Sequence, residues 1–334
     1  MSIERMLGGS CADPFPVYPA LAETLAAAHV ETPLEREPTV AHVLGTCAGY
    51  AYADAETVST MMTRLGLSDH GFVRISEVVN VMFVYSTAYV LQSQCGRVVI
   101  LCYRGTEPEM LGNWLGDFDV APDSSTLLLP DGGDELRVHG GFHRNLRLTW
   151  WAVLNELTAA LDGKSLVDHR TPVPHPPEAI YVCGHSLGGA MAMLFALKLA
   201  SDGHHRAIRE RVRAIYTFGQ PMSVLMPVPT GVEASQRNVF RHVLLHDPIP
   251  ALPPTTWGPF VHLGQEYRFI DGEWRRSVAP VEQLPNMRNV PRIVLSSLEP
   301  AERREASRYV FSEHAPQHYL SALRPPGRVT EFGD

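Results

Sequence analysis

The sequence has little lysine, no paired cysteine motif, no internal repeat and no long apolar run. Lysine occurs only at Lys164 and Lys198, and the 334 residues carry a formal net charge of −8. Nucleic-acid binding requires clustered Lys and Arg to neutralise phosphates, so this balance argues against a nucleic-acid partner. Hydrophobic residues still make up 45% of the chain, which indicates a folded protein with a sizeable core.

Cysteine is scarce, and its spacing matches no common framework. The residue occurs five times, and no two cysteines form a CxxC motif. The odd number, in a chain of this length, argues against a disulfide framework, and the missing pairs argue against a zinc site of the Cys-pair type. We therefore expect no bound metal, and reduced, partly buried thiols at Cys11, Cys47, Cys95, Cys102 and Cys183.

Patterns typical of targeting or membrane-spanning segments are also missing. The most apolar stretches, Val78–Leu91 and Gly188–Leu197, are shorter than the ~20 residues that a membrane-spanning helix needs. The N-terminal residues lack a basic start followed by an apolar core, so we expect no signal peptide. These observations predict a cytoplasmic protein without a transmembrane span, and they leave peripheral contact with a lipid surface open.

Apolar runs and helical spacing alternate along the chain. Residues 1–39 are rich in proline and weakly patterned, which predicts an N-terminal arm that is extended or a short helical lead-in. Strands are indicated at Val98–Tyr103, Ala179–Cys183, Val212–Phe218 and Val239–Leu245, and as a pair at Val78–Ser86 and Ala88–Ser93. Helices are indicated at Val40–Leu67, at Phe142–Leu161 and from Leu187 to about Ala200. This alternation predicts one α/β domain over residues 40–334, built on a mostly parallel sheet.

A sharp turn flanked by glycines is predicted around Ser186. Gly184-His185-Ser186-Leu187-Gly188 matches the pattern G-x-S-x-G between a predicted strand and a predicted helix. The glycines remove side chains that would clash in so tight a turn. The turn raises the Ser186 hydroxyl at a helix N-terminus, which predicts a nucleophile, with an ordinary glycine-rich turn as the alternative. His185 is expected to point away from that hydroxyl.

Four stretches, in matching order, resemble the class 3 lipase family, the α/β-hydrolases typified by fungal triacylglycerol lipases. They are VVILCYRGTEPEMLGNWLGDF, VHGGFHRNL, GHSLGGA, and IYTFGQP followed by RHVLLHDPIPALPP. Together they span about residues 98–254 and, more loosely, 310–323. The resemblance implies an α/β-hydrolase fold and a serine hydrolase that cleaves carboxylic esters.

A serine nucleophile needs a base within hydrogen-bond reach and an acid that orients the base. In α/β-hydrolases the acid follows the serine along the chain, and the histidine comes last. Asp247 follows a predicted strand, so its carboxylate is expected at the same sheet edge as the turn at Ser186. The resemblance also places the acid there, and a turn Asp before proline is the alternative.

The base is predicted among the histidines that follow Asp247. The resemblance favours His314, because Glu313 precedes it and Tyr319 follows it at the start of a predicted terminal helix. His262 and His318 stay open as alternatives, since only a position beside Ser186 qualifies a histidine as the base.

The resemblance also assigns groups to the substrate's reacting oxygen and acyl chain. Backbone N–H groups of Leu187 and Thr106 would stabilise the oxyanion, and Asp117 would fix the loop that holds Thr106. The family places a lid after Thr106. Its apolar residues here are Met110, Leu111, Trp114 and Leu115. They would cover an acyl groove, with a fixed helix in the core as the alternative.

These features lead to one functional prediction and two alternatives. We expect a lipase or esterase that cleaves lipid esters, such as acylglycerols or phospholipids, through an acyl-enzyme and without a cofactor. A non-catalytic lipid-binding or signalling protein on the same fold is the first alternative, and a thioesterase or peptidase with the same triad is the second. The presence of the turn, the acid, a candidate base and the oxyanion segment together favours the enzyme.

Overall fold

The structure of the chain is a computed structural model. It describes residues 1–10, 15–28, 38–79, 84–106, 124–128, 135–230, 232, 238–285 and 312–334. Asp117 lies outside the described residues, and so do the four predicted lid residues, Met110, Leu111, Trp114 and Leu115.

Strands and helices alternate along most of the described chain. The strands are β1 (Ser2–Leu7), β2 (Gly71–Val79), β3 (Val84–Gln92), β4 (Val98–Tyr103), β5 (Ser124–Leu128), β6 (Glu135–His139), β7 (Ala179–His185), β8 (Val212–Phe218), β9 (Val224–Leu225), β10 (Val239–Leu244), β11 (Phe260–Val261), β12 (Gln265–Ile270) and β13 (Glu273–Ser277). The helices are α1 (Leu21–Ala27), α2 (Pro38–Tyr50), α3 (Ala55–Leu65), α4 (Gly140–Leu161), α5 (Leu187–Ser201), α6 (Arg206–Arg211) and α7 (Pro316–Leu323). None of these described helices is long and apolar enough to cross a lipid bilayer.

Nine of the described strands form one sheet, in the order β1-β2-β3-β4-β7-β8-β10-β12-β13. The five strands from β4 to β12 in that order run parallel, and antiparallel strands flank them on both sides. Parallel strands end at one edge of a sheet, so the residues that follow β7 and β10 come to the same edge. The predicted mostly parallel α/β sheet is confirmed. The sequence patterns did not indicate the second sheet, β11-β9-β6-β5.

Apolar side chains cover both faces of the large sheet. Ile100 and Cys102 of β4 belong to the core under α1, α2, α3 and α7, whereas Val99 and Leu101 belong to the core under α4 and α5. Successive residues of a strand point to opposite faces, so a strand buried on both sides needs a continuous apolar run. The predicted strands Val98–Tyr103 and Val212–Phe218 have the bounds that the structure shows.

The N-terminal segment supplies both an edge strand and a helix. Strand β1 pairs antiparallel with β2, from Ser2 opposite Ser76 to Leu7 opposite Gly71. The guanidinium of Arg5 donates two hydrogen bonds of 2.6 Å to the carboxylate of Glu156, which is 2% exposed. A bidentate pair of this kind fixes geometry as well as charge. It ties the edge strand to helix α4.

The predicted strand pair Val78–Ser86 and Ala88–Ser93 was wrong in its boundaries. The two strands are Gly71–Val79 and Val84–Gln92, and Thr87 lies within the second, opposite Ser76. The polar residues that suggested a break have partners on neighbouring elements instead. The Ser76 and Thr87 hydroxyls are 3.2 Å apart, and those of Ser86 and Thr149 are 3.4 Å apart. Burying a hydroxyl that has a hydrogen-bond partner costs little free energy, so the strand continues through these residues.

The predicted helix Val40–Leu67 is divided into α2 and α3. Asp54 caps the second helix, because its carboxylate accepts a hydrogen bond of 2.7 Å from the Thr57 N–H. Asp is among the strongest N-cap residues, so it begins a new helix here. The short connection between the two helices contains Tyr52, which becomes important at the site described below.

His242 is a buried histidine within the large sheet. Its ring on β10 lies between those of Tyr216 and Tyr267, with centroid distances of 5.6 and 5.9 Å, and the edge of Trp274 approaches it at 4.9 Å. Burial lowers the pKa of His242 from 6.5 to about 3, because the imidazolium would lose its hydration. The ring is therefore neutral in the folded protein at neutral pH.

This burial predicts acid sensitivity that the substitution His242→Phe should reduce. Above pH 6.5 the ring is neutral whether or not the chain is folded, whereas below it only the unfolded chain gains the proton, so stability is lost as the pH falls toward 3. Between pH 7 and pH 5, the free energy of unfolding should fall by about 2 kcal/mol more in the wild type than in the variant. Urea unfolding at both pH values measures this, with the exposed His204→Phe as a control. Equal falls in the wild type and His242→Phe would contradict the prediction.

Candidate active site

Ser186 occupies a strained turn between β7 and α5. Its backbone has φ 57° and ψ −129°, a region that residues other than glycine rarely adopt. Hydrogen bonds hold it there: the Ser186 N–H donates to the Phe218 carbonyl at 2.9 Å, and the Ser186 carbonyl accepts from Gly189 and Ala190. The end of β8 and the first turn of α5 therefore fix the conformation from both sides.

The two glycines of the G-x-S-x-G pattern are required by close backbone contacts. A Cβ at Gly184 would collide with the Gly188 carbonyl group, and one at Gly188 would collide with the Tyr103 carbonyl oxygen at the end of β4. Any side chain at either position would push the turn away from the sheet. The glycines of the sequence pattern are thus required by packing as well as by the backbone conformation of the turn.

Asp247 and His314 form a buried pair beside this turn. The Nδ1–H of His314 donates to Oδ2 of Asp247 at 2.8 Å, and the Tyr319 hydroxyl donates to the same oxygen at 2.6 Å. Oδ1 of Asp247 accepts the Ile249 N–H at 2.9 Å. Because a carboxylate only accepts hydrogen bonds, it places the proton of a neutral His314 ring on Nδ1. Nε2 then carries the lone pair that a base needs.

The other two candidate bases lie elsewhere. A carbonyl oxygen, that of Pro250, is 2.7 Å from Nε2 of His262, so this nitrogen must be a donor. Burial lowers the pKa of His262 well below 6.5, which makes it a poor proton acceptor. The side chain of His318 is exposed on α7. Of the three histidines, His314 is the one that the structure pairs with Asp247.

The reacting atoms of Ser186 and His314 are unpartnered. Within the described residues, neither Oγ of Ser186 nor Nε2 of His314 has a hydrogen-bond partner, although both atoms are buried. Buried polar atoms without partners are uncommon, and at a strained turn they indicate a functional site. The same segment approaches both residues, since Phe218 accepts the Ser186 N–H and a Cβ on Gly219 would lie within 2.9 Å of His314.

His185 supports the pair from the side of the sheet. Its Nε2 lies 2.8 Å from the His314 carbonyl oxygen, and its Nδ1 lies 2.8 Å from the Tyr52 hydroxyl. Burial lowers the pKa of His185 well below 6.5, so the ring is neutral. Nε2–H therefore donates to the carbonyl, and the Tyr52 hydroxyl donates to Nδ1. Both ring nitrogens of His185 are engaged, so it positions the backbone of His314 and does not act on Ser186.

Thr106 and Leu187 come to the same edge of the sheet. Leu187 is the first residue of α5, so its N–H has no acceptor within the helix. Thr106 follows Gly105, where a Cβ would lie 2.7 Å from the His185 carbonyl oxygen and would collide with the Tyr52 hydroxyl. The segment after β4 is thus pressed against the turn that holds Ser186, as an oxyanion site made of two segments requires.

Comparison with known proteins agrees with this geometry. A family model described as lipase (class 3) matches residues 100–257, which include Thr106, Ser186, Leu187 and Asp247. Over these residues the chain is similar to the class 3 lipase family. The resemblance stated from the sequence is confirmed, whereas His314 lies beyond the matched residues.

Individual curated lipases match about half of the chain. It is 30% identical over 189 residues to the lipase of Rhizomucor miehei, covering 56% of this chain and 46% of the relative. It is 28% identical over 202 residues to triacylglycerol lipase OBL1 of Ricinus communis, covering 50% and 37%. The secreted mono- and diacylglycerol lipase 1 of Fusarium solani is 27% identical, with coverage of 55% and 47%. The chain thus spans less than half the length of these curated relatives.

Solved lipase structures share the fold. Lipase II of Rhizopus niveus superposes with a TM-score of 0.55 at 22% identity, covering 74% of this chain and 86% of that one. The native Rhizomucor miehei lipase–propeptide complex gives a TM-score of 0.52 at 20% identity, covering 78% and 77%. The α/β-hydrolase fold predicted from the sequence is confirmed.

Gly219 has no side chain, which leaves room for Asp247 and His314 to contact each other. We therefore expect Gly219→Ala to disrupt the pair. The new Cβ would lie 2.8 Å from Oδ2 of Asp247 and 2.9 Å from Nδ1 of His314. The rate at which a fluorophosphonate labels Ser186 should fall about 100-fold, since displacements of about 1 Å cost that much. Gly163→Ala is the control, because Gly163 also has a positive φ, of 71°, but a Cβ there would meet nothing within 4 Å. Equal labelling rates in the two variants would contradict the assignment.

We expect His185 to be replaceable only by a side chain that retains an N–H donor for the His314 carbonyl oxygen. His185→Leu removes the hydrogen bond to the His314 carbonyl, so Ser186 should be labelled about tenfold more slowly. His185→Gln retains an N–H donor and an acceptor, and it should restore most of the rate. Labelling kinetics on variants with unchanged melting temperatures measure the effect. If the leucine variant reacts as fast as the wild type, His185 does not position His314.

Proposed function

We propose that this protein is a serine hydrolase that cleaves the carboxylic esters of acylglycerols through an acyl-enzyme. The observation that carries the proposal is the Asp247–His314 pair, whose free Nε2 accompanies an unpartnered Ser186 hydroxyl on a strained turn. The match of residues 100–257 to the class 3 lipase family model supports it. A strained turn alone would also suit a binding site. A base that is hydrogen-bonded to an orienting acid, however, is the arrangement that a serine nucleophile needs.

In the proposed first half-reaction, Oγ of Ser186 attacks the ester carbonyl carbon while Nε2 of His314 takes the hydroxyl proton. The carbonyl oxygen becomes an oxyanion, which the backbone N–H groups of Leu187 and Thr106 stabilise. His314 then returns the proton to the departing alcohol, and the acyl group stays on Ser186. In the second half-reaction, His314 takes a proton from water, and the acid is released.

Asp247 stays ionised through both half-reactions in this scheme. It stabilises the imidazolium of His314 and keeps the ring in one orientation, without taking the proton itself. Its three hydrogen-bond donors spread the carboxylate charge over His314, Tyr319 and Ile249. Loss of any one donor would leave the charge less stabilised in a buried position.

The acylglycerol preference rests on the chain's relatives and on the apolar segment after Thr106. The relatives from Ricinus communis and Fusarium solani are described as triacylglycerol and as mono- and diacylglycerol lipases, respectively. For this chain we propose that the acyl group contacts the apolar residues after Thr106. These are Met110, Leu111, Trp114 and Leu115.

Ester hydrolysis should depend on Ser186 and should persist with long acyl chains. Ser186→Ala should lower kcat for p-nitrophenyl esters by about 10⁴-fold or more, since the nucleophile is lost. Ser201→Ala, at the other end of α5, is the control and should retain the wild-type rate. Rates measured from butyrate to palmitate, and then on triolein and phosphatidylcholine vesicles, test the substrate class. Equal turnover by the wild type and Ser186→Ala would refute the mechanism, and turnover of phosphatidylcholine alone would refute the acylglycerol preference.

A further inference from the structure

Three buried cysteines meet beneath the active-site edge of the sheet. The sulfur atoms of Cys47, Cys102 and Cys183 all lie within 4.8 Å of one another. Each side chain is fully buried, at 0% exposure. Cys102 on β4 and Cys183 on β7 are opposite each other in the parallel ladder, and Cys47 on α2 covers them. Two strands and a helix thus direct one thiol each to a single point.

The cluster has the composition of a soft-metal site. Within the described residues, it is the one group of three or more His, Cys, Asp or Glu side chains that could hold a metal ion. An ion with bonds of about 2.3 Å to three sulfurs holds them about 4 Å apart, which the observed spacing accommodates. Thiolates select soft ions, and the apolar core around the cluster leaves hard oxygen-seeking cations without ligands.

Charge decides which soft ion the cluster suits. Three thiolates carry three negative charges, so a monovalent or divalent ion leaves a net charge in a core that excludes water. A trivalent ion leaves none, and burying an uncompensated charge is costly. We propose that Cys47, Cys102 and Cys183 form a binding site for a trivalent thiophilic element, arsenic(III) or antimony(III).

Binding needs neither an oxidant nor a reductant. Arsenous acid, As(OH)₃, exchanges its three As–O bonds for three As–S bonds, and each thiol proton leaves in one molecule of water. The oxidation state of arsenic does not change, and both the entering and the bound forms are neutral. A small neutral molecule reaches a buried site through local opening of the structure without carrying a charge into the core.

The cluster is also connected to the elements that hold Ser186. Cys183 precedes Ser186 by three positions, and the Cys102 thiol contacts the Tyr103 carbonyl oxygen at 3.9 Å. That oxygen is the atom that a Cβ on Gly188 would strike. Drawing the three sulfurs onto one atom therefore pulls on the turn. We expect bound arsenic to slow hydrolysis, an effect that rests on the proposed function, whereas binding itself does not.

The test measures binding before activity. The folded double variant Cys11→Ser/Cys95→Ser keeps only the three cluster thiols, and it is incubated with arsenite, or with Zn²⁺ in a parallel sample. Native mass spectrometry should show one arsenic per chain, with the mass of three hydrogens lost. Thiol titration after rapid denaturation should find the three thiols protected. Slower hydrolysis of p-nitrophenyl butyrate by the arsenic-bound form would then support the coupling to Ser186.

Single substitutions show whether all three thiols are needed. Cys47→Ala, Cys102→Ala and Cys183→Ala, each in the double variant and each checked for folding by circular dichroism, should lose the stoichiometric arsenic. If Cys47→Ala still binds one arsenic, or if arsenic binds only the denatured chain, the three-thiol site is refuted. Tighter binding of Zn²⁺ than of arsenite would refute the charge argument. Stoichiometric arsenic binding by a folded Cys11→Ser/Cys95→Ser chain that does not hydrolyse p-nitrophenyl butyrate even without arsenic would count against the proposed function alone.

Discussion

The carboxylate of Asp247 is the group on which the arrangement of the site depends. It is almost fully buried, at 6% exposure, and it accepts hydrogen bonds from His314, Tyr319 and the Ile249 N–H. Charged hydrogen bonds of this kind are roughly twice as strong as neutral ones, and a buried carboxylate needs all of them. Two of the three donors come from the C-terminal residues, so the same contacts that satisfy the charge also dock α7 on the sheet. Stability and site geometry are therefore coupled at one side chain.

A second set of contacts holds the site from the opposite side. His185 joins the strand that ends at the nucleophile to the backbone of His314, and Tyr52 holds His185 in turn. In sequence, His185 and His314 are 129 positions apart, and Tyr52 and His185 are 133 positions apart. The strained backbone of Ser186 persists because such contacts surround it. A backbone strain of about 1–3 kcal/mol is retained only where several surrounding contacts fix the same conformation. The site is thus built from one strained residue and a rigid frame.

The two faces of the large sheet differ in character. The face under α4 and α5 carries the Ser86–Thr149 hydroxyl pair and the Arg5–Glu156 ion pair, whereas the face under α2 and α7 carries His242 and the three clustered thiols. The second face also carries Tyr319 and Tyr52, which hold the acid and His185. Polar groups need partners when buried, and those partners come from several chain segments. The thiol cluster belongs to this second face, and two of its cysteines lie on strands that end at the site.

The sequence by itself determined the strands of the sheet centre, the sharp turn at Ser186, and the position of Asp247 after β10. Each is a local property, because a strand buried on both faces needs an unbroken apolar run and a tight turn needs glycine at fixed positions. The boundary between β2 and β3 was wrong because Ser86 and Thr87 find partners on other elements, which a local pattern does not contain. Only the tertiary structure separated His314 from His262 and His318, joined Tyr52 to His185, and brought the three cysteines together. Those choices depend on contacts between residues far apart along the chain, and distance in sequence carries no information about distance in space until the sheet has fixed the order of its strands.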